Sequence, residues 1–235
     1  MSIRETEAGW LVEGSTGAGL FARSFSASGR AQDVSLLQPD RESTLLALAR
    51  EAGSASDSII FGMRQVHGGD VVVVEDLDND VMPECDALVT GQSNTVLSGV
   101  TADCVPLILM AEGACGVVHA GWRGLAAGVV KRSVRVVSEA AGVDTTDIEA
   151  FVGPSAGACC YEVGEEVVRE IGDSAVTQNG HLDSGDTAVR QLMAAGVAKI
   201  ETVDVCTICS APQLLNSFRR DGNESGRQGV IAWLN

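Results

Sequence analysis

His67, Cys104 and His119 are the residues of this chain best suited by type and surroundings to bind a metal ion. The chain holds only three histidines, and two of them close apolar runs that pass at once into glycine: Gln65-Val66-His67-Gly68-Gly69 and Val117-Val118-His119-Ala120-Gly121. A strand end feeding a glycine turn is where a side chain projects into a cleft and the backbone leaves room for a ligand. Taken singly, each is as readily a hydrogen-bonded structural imidazole. The third element, Thr101-Ala102-Asp103-Cys104-Val105-Pro106, sets a carboxylate and a thiol between two apolar runs, and Pro106 predicts a bend there. Two imidazoles and a thiolate suit zinc, with copper as the alternative ion, and leave a fourth tetrahedral position for water or substrate, as catalytic sites do. The three donors are spread from residue 67 to residue 119, so no compact zinc motif supports them.

The elements that must position these donors read as a mixture of strands and helices. Short β-branched runs predict strands over 59–66, 70–75, 95–100, 105–110, 114–119, 148–152, 200–205 and 229–234. Apolar periodicity predicts a helix from Gly124 to Ala140 ended by Gly142, and a second over Gly164 to Ile171. A third is predicted from an Asp186 N-cap to Gly196, with Val189, Leu192 and Met193 facing inward. The stretch Gly14 to Gly53 reads as loop followed by a short helix near Ser43 to Arg50. This order is not a regular βαβ alternation, and it predicts an α+β fold of layered mixed β-sheets flanked by helices, in a single domain over 1–235.

With 45% hydrophobic residues, 235 residues suffice for one substantial core. No apolar run approaches the roughly 18 residues of a bilayer span, and Met1-Ser2-Ile3-Arg4-Glu5 lacks the apolar heart of a signal peptide, so a cytoplasmic protein without membrane partners is expected. Seven cysteines, an odd number in no secreted framework, are expected to be reduced. A formal charge of −16 speaks against a nucleic-acid partner and favours a small-molecule substrate. Oligomeric state is left open.

Cys206-Thr207-Ile208-Cys209 has the spacing of a redox or zinc pair, but no second pair is expected to complete a four-cysteine site. Cys206 and Cys209 are therefore expected to be reduced and away from the metal point, and Cys115, Cys159 and Cys160 to be core or near-core thiols. Arg123 follows a tryptophan and precedes a helix start, where it can meet an anion. The structural alternative for it is a salt bridge.

Several short motifs occur together and in order: Gln65-Val66-His67-Gly68, Cys85-Asp86-Ala87, Thr101-Ala102-Asp103-Cys104-Val105-Pro106, His119-Ala120-Gly121-Trp122-Arg123-Gly124, Gly153-Pro154-Ser155 with Tyr161-Glu162-Val163-Gly164, and Phe218-Arg219-Arg220-Asp221 with Ser225-Gly226-Arg227. Over roughly residues 59 to 235 the chain thereby resembles the YfiH-type family, labelled laccase-domain or polyphenol oxidase and regarded as purine nucleoside phosphorylases with adenosine deaminase activity. The resemblance implies His67, Cys104 and His119 as metal ligands, Arg23 and Arg227 beside Arg123 as substrate-binding cations, and a purine nucleoside and phosphate as partners. His181-Leu182-Asp183 also resembles a family motif, with a structural role expected. The N-terminal part departs from the pattern: Phe21-Ala22-Arg23 resembles the family's Thr-x-Arg, but Ser24-Phe25-Ser26-Ala27 and Val34-Ser35-Leu36-Leu37 stand where Gly-Gly-Val-Ser and Ser-Leu-Asn-Leu are usual.

The reading that follows is a zinc enzyme performing phosphorolysis of adenosine, inosine or methylthioadenosine to ribose 1-phosphate and free base, together with deamination of adenosine by zinc-acidified water. Cys104, Asp103 and Arg123 are its catalytic candidates, Asp103 as an acid-base group or, more conservatively, as the group that orients a ligand. The His-x-Glu and Cys-x-x-Cys signature of nucleobase deaminases is absent around these ligands. An alternative is a metal-independent cysteine hydrolase with Cys104 as nucleophile and His119 as base, which a fold similar to toxin-type deamidases would allow. A non-enzymatic protein with a structural metal accords less well with an open three-ligand set. Polyphenol oxidation at a multicopper centre, as the older label implies, fails on counting, because such a centre needs many more than three histidines.

Overall fold

The structure is a computed structural model and describes residues 1–23, 41–75, 82–172, 175–212 and 214–235. In chain order its strands are β1 (Ser2–Thr6), β2 (Gly9–Glu13), β3 (Gly17–Ala22), β4 (Ile59–Phe61), β5 (Val71–Val73), β6 (Ala87–Thr90), β7 (Thr95–Thr101), β8 (Val105–Ala111), β9 (Ala114–Ala120), β10 (Glu149–Val152), β11 (Lys199–Thr202) and β12 (Gln228–Leu234). The helices are α1 (Arg41–Glu51), α2 (Trp122–Ala127), α3 (Val129–Ala141), α4 (Glu165–Ile171), α5 (Ser184–Ala194) and α6 (Phe218–Asp221).

Period-two burial on both faces builds four layers from these elements. In β8, Leu107 and Leu109 pack toward Val130, Val134 and Val137 of α3 and Leu192 of α5, whereas Ile108 and Met110 pack toward Phe21, Leu97 and Val230 of other strands. In β12, Val230 and Ala232 share that central core, while Ile231 and Trp233 meet Leu45 and Ala49 of α1. The result is helix, sheet, sheet, helix. One sheet runs β1-β2-β3-β12-β7-β4 and the other β11-β10-β8-β9-β6-β5. Both are mixed: β4 with β7, β5 with β6 and β10 with β11 are parallel, and the remaining pairs antiparallel. This is the expected α+β arrangement of layered mixed sheets.

The connections between the sheets create the functional end of the sandwich. The chain steps from the first sheet to the second between β4 and β5, where His67 lies, and between β7 and β8, where Cys104 lies. His119, one residue from the end of β9, pairs across the ladder with Pro106 at the start of β8, so all three donors reach the same end.

Several local expectations are corrected. The strands predicted over 59–66 and 70–75 shrink to β4 and β5, because the chain between them turns to present His67. Pro106 does not break β8: its partner His119 turns its amide to Asp86 and not to β8, the Pro106 carbonyl accepts from the Gly153 amide just past β10 at 2.9 Å, and the bend falls earlier, at 102–104. The predicted helix from Gly124 to Ala140 divides into α2 and α3 at Gly128, which adopts a left-handed φ of 79°. Asp183, not Asp186, caps α5 by accepting from the Asp186 amide, and Met193 is 63% exposed rather than inward. The N-terminal strands and β6 were not predicted. Their burial on both faces, as in Trp10-Leu11-Val12, erases the alternation that marks a half-buried strand.

Candidate metal centre and its cavity

The nitrogen and sulfur donors of His67, Cys104 and His119 lie within 4.8 Å of one another. The two imidazoles meet edge to face, with centroids 4.8 Å apart and planes at 85°. His119 Nδ1 is 2.8 Å from Asp86 Oδ1, which leaves Nε2 as its coordinating atom. Gly121 makes the close approach possible. A Cβ built there would stand 2.9 Å from Cys104 Sγ and 3.0 Å from His67 Cδ2, although its φ of −71° suits any residue. Gly121→Ala is therefore expected to leave the backbone undisturbed but to weaken the binding of an added metal ion about tenfold or more, the equivalent of 1–3 kcal/mol of overpacking, as measured by competition with a chromophoric chelator.

Asp86, fully buried, organises the centre. Its carboxylate accepts from the amides of His67 at 2.9 Å, Gly68 at 2.6 Å and Val66 at 3.3 Å, and its carbonyl accepts from the His119 amide at 2.8 Å. The converging amides hold His67 at a φ of 59°, a left-handed conformation that a residue with a Cβ rarely adopts. Sequence reading did not single out Asp86, although Cys85-Asp86-Ala87 carried the signal.

The electrostatics favour a thiolate. Burial pushes the Cys104 thiol up, but the charges and hydrogen bonds of His119 and His67 outweigh it and bring it from 9.0 down to about 6. Burial lowers His119, yet the Cys104 charge and the Asp86 hydrogen bond carry it from 6.5 up to about 9. A half-buried thiolate between two imidazoles, one of them oriented by a carboxylate, is a donor set that fits zinc.

A cavity of about 410 Å³ opens over these donors. Its wall carries three guanidinium groups against aromatic rings: Arg123 over Trp122 at 4.1 Å, Arg219 over Tyr161 at 4.9 Å and Arg227 near Phe218 at 5.9 Å. Arg123 and Arg227, two of the three expected substrate-binding cations, line this cavity. Arg23 does not line this cavity; it stacks on Trp10 at 4.4 Å and pairs with Glu5. Both divergent N-terminal motifs, Ser24-Phe25-Ser26-Ala27 and Val34-Ser35-Leu36-Leu37, lie outside the described residues. Arg219, Tyr161 and Phe218 were missed as cavity residues, although all three stand in the motifs quoted above.

Asp103, at a φ of 86°, uses both carboxylate oxygens to brace the cavity floor. Oδ1 accepts from the Thr207 hydroxyl at 2.6 Å and Oδ2 from the Arg219 amide at 2.7 Å. His181 bonds the Ala158 carbonyl through Nδ1 at 2.7 Å and joins neither donor cluster found among the described residues.

The cysteines require a correction. Cys206 and Cys209 are free and belong to a different cluster from the His-Cys-His donors, but they are not alone: Cys159 and Cys160 converge on them, all four sulfurs lying within 4.8 Å of one another. Cys159 is exposed and Cys160 half-buried, so neither is a core thiol. Cys115 is, and burial pushes it up to about 12.

Sequence comparison matches residues 40–235 to the family described as multi-copper polyphenol oxidoreductase laccase. The chain is 43% identical over 152 residues to a purine nucleoside phosphorylase of Aquifex aeolicus, covering 63% of this chain and 71% of that one. It is 38% identical over 195 residues to a purine nucleoside phosphorylase of Xylella fastidiosa, covering 75% and 73%. Among solved structures, YlmD of Geobacillus stearothermophilus superposes with a TM-score of 0.84 at 25% identity, over 99% of this chain and 98% of that one. The hypothetical protein YfiH of Bacillus licheniformis gives 0.83 at 25% identity over 99% of both chains. With the family match spanning most of its length and the fold shared end to end, the chain belongs to the YfiH-type laccase-domain family, which includes relatives named purine nucleoside phosphorylase.

Proposed function

We propose that the chain is a zinc-dependent purine nucleoside phosphorylase acting on adenosine, inosine and methylthioadenosine, with adenosine deaminase activity. The observation that carries this reading is the convergence of two imidazoles and a thiolate on the floor of a cavity walled by arginines and aromatic rings. The relatives named purine nucleoside phosphorylase support it. His67, Cys104 and His119 would hold zinc, which supplies a Lewis acid open to a phosphate or a water oxygen.

In phosphorolysis a phosphate oxygen bonds to the ribose anomeric carbon as the bond to purine nitrogen breaks, and the departing base takes up a proton. Arg123, Arg219 and Arg227 neutralise the phosphate, each with its guanidinium beside an aromatic ring. Trp122 and the half-exposed Phe218 offer apolar surface for the purine. Burial, then the nearby Cys104 charge, raise the Tyr161 hydroxyl above its ordinary value against the opposing Arg219, so it stays protonated and able to donate to the leaving base. Asp103 acts as the positioning residue that ties the cavity floor to Thr207 and Arg219.

The test is metal analysis of purified protein with phosphate-dependent turnover of inosine and adenosine. Arg123→Ala is expected to weaken the phosphate-dependent reaction by about 10- to 100-fold, chiefly through the KM for phosphate, and to change deamination by less than about threefold. Equal loss of both reactions would reassign Arg123 to holding the nucleoside or its own loop.

A second reading has its own support, since Cys104, His119 and Asp86 also form a nucleophile, base and orienting carboxylate. It leaves His67 without a role. A hydrolase of that kind keeps its activity after zinc is stripped, and full nucleoside turnover by verified metal-free protein would establish it in place of the metal enzyme.

A further inference from the structure

We propose that Cys159, Cys160, Cys206 and Cys209 form a second metal site, a tetrathiolate structural zinc centre that braces the wall of the nucleoside cavity. The four sulfurs lie within 4.8 Å of one another, and the Cys159 and Cys209 sulfurs are 3.6 Å apart. A tetrahedral zinc with bonds of about 2.3 Å places its sulfurs about 3.8 Å from each other, so one ion fits among them with small side-chain adjustments.

The backbone gathers these thiols without help from any of them. Ser155 and Cys206 form a parallel bridge, with the Ser155 amide donating to the Val205 carbonyl at 3.3 Å and the Thr207 amide to the Ser155 carbonyl at 3.1 Å. That bridge sets the turn 158–160 beside the turn 206–210. The Gly157 amide points at Cys206 Sγ from 3.4 Å, a donor suited to a thiolate sulfur. A Cβ on Gly157 would stand 3.5 Å from Cys206 Cβ and 3.8 Å from the sulfurs of Cys159 and Cys206. Arg220 stiffens the second turn, donating to the carbonyls of Thr207 at 3.0 Å and Ser210 at 3.1 Å. A cavity of about 580 Å³, lined in part by Cys159 and Cys206, gives an ion and solvent access to the site.

The site joins the cavity wall through its immediate neighbours in the chain. Tyr161 follows Cys160 and lines the nucleoside cavity. Thr207 follows Cys206, is fully buried and donates to Asp103. Binding breaks four S–H bonds, forms four zinc–sulfur bonds and releases four protons to solvent, with no change of oxidation state. A set of four free cysteines outside the His-Cys-His donors, two exposed and two half-buried, is thereby explained as a clamp on two cavity segments.

The experiment counts zinc per chain in full-length protein purified with zinc, separating this site from the first by mutation. Wild type is expected to hold about two equivalents, Cys104→Ala about one, and Cys206→Ser/Cys209→Ser about one. Iodoacetamide labelling with peptide mapping covers the event that the double variant misfolds. In native wild-type protein the exposed Cys159 and Cys209 should resist labelling by at least about tenfold until a strong chelator is added. One equivalent in wild type and none in Cys104→Ala would overturn the proposal. So would equal labelling of Cys159 and Cys209 with and without chelator, or recovery of the pair as a disulfide.

Discussion

Cys104→Ala is expected to abolish phosphorolysis and deamination together, each by about 10³-fold or more, while leaving the fold intact. The Lewis acid of such a site contributes several kcal/mol to the transition state, and each 1.36 kcal/mol is tenfold in rate. Cys104 is the one anionic donor of its cluster, so its loss leaves two neutral imidazoles facing a dication. The side chain is small and half-buried, and it follows a turn anchored independently by Asp103, whose carbonyl accepts from the Ala156 amide at 2.9 Å. Circular dichroism and thermal melting should therefore remain near wild type. Zinc content should fall by about one equivalent per chain. Retention of either activity would separate the two reactions and place one of them on a group other than the metal. Alkylation adds a check on the ground state: in metal-free protein the Cys104 thiolate should react at pH 7 as a thiol with a value near 6, and His119→Ala should move that profile upward.

The donors at this centre were legible because the chain has only three histidines, two of them closing apolar runs, and because Cys104 stands between two apolar runs. Asp86 was not, because a carboxylate inside Cys85-Asp86-Ala87 looks like any other acidic residue until the chain between β4 and β5 folds over it. The same holds for Arg219. Its value depends on Asp103 capturing its amide and Tyr161 lying under its guanidinium, contacts spanning more than a hundred residues and more than fifty residues of chain. The four-cysteine cluster shows the limit most clearly. Two adjacent cysteines and a Cys-x-x-Cys pair have no regular spacing between them, and only the Ser155 to Cys206 bridge makes them neighbours.

In the fold, alternation and helical periodicity identified most strands of the second sheet and the four predicted helices, of which the one near Ser43 to Arg50 is α1 and the one from Gly124 to Ala140 divides at Gly128. What failed was the first sheet's N-terminal meander. The strands β2 and β3 are covered by α1 on one side and by the second sheet on the other, so residues such as Val12 and Phe21 follow no polar alternation. Glycine supplied half of that strand's small residues, and glycine reads locally as loop: Gly17 and Gly19 sit in β3 because the carbonyls of Trp233 and Ile231 pass within 2.4 Å and 2.6 Å of where a Cβ would be.

Asp86→Ala is expected to cost about 3–5 kcal/mol of stability, more than Cys104→Ala, since it strands a buried imidazole and three amides without their acceptor. Asp86→Asn tests the charge with the shape kept. It should fold, bind zinc about 10- to 100-fold more weakly because His119 is no longer oriented by an anion, and lose part of the stability in metal-free protein. Burial raises the Asp86 carboxyl, but the hydrogen bond and charge of His119 and the amides of Gly68 and His67 outweigh it and hold the group below its ordinary 3.8. A carboxylate so depressed stabilises the folded state fully above pH 3.8, and that contribution disappears as pH falls through its lower folded value. Urea unfolding of metal-free wild type and Asp86→Asn should therefore differ by a constant amount from neutral pH down to the unfolded value, and the difference should shrink in stronger acid. A gap that persists unchanged there would mean that the shape of the side chain, not its charge, holds His67 in its left-handed turn.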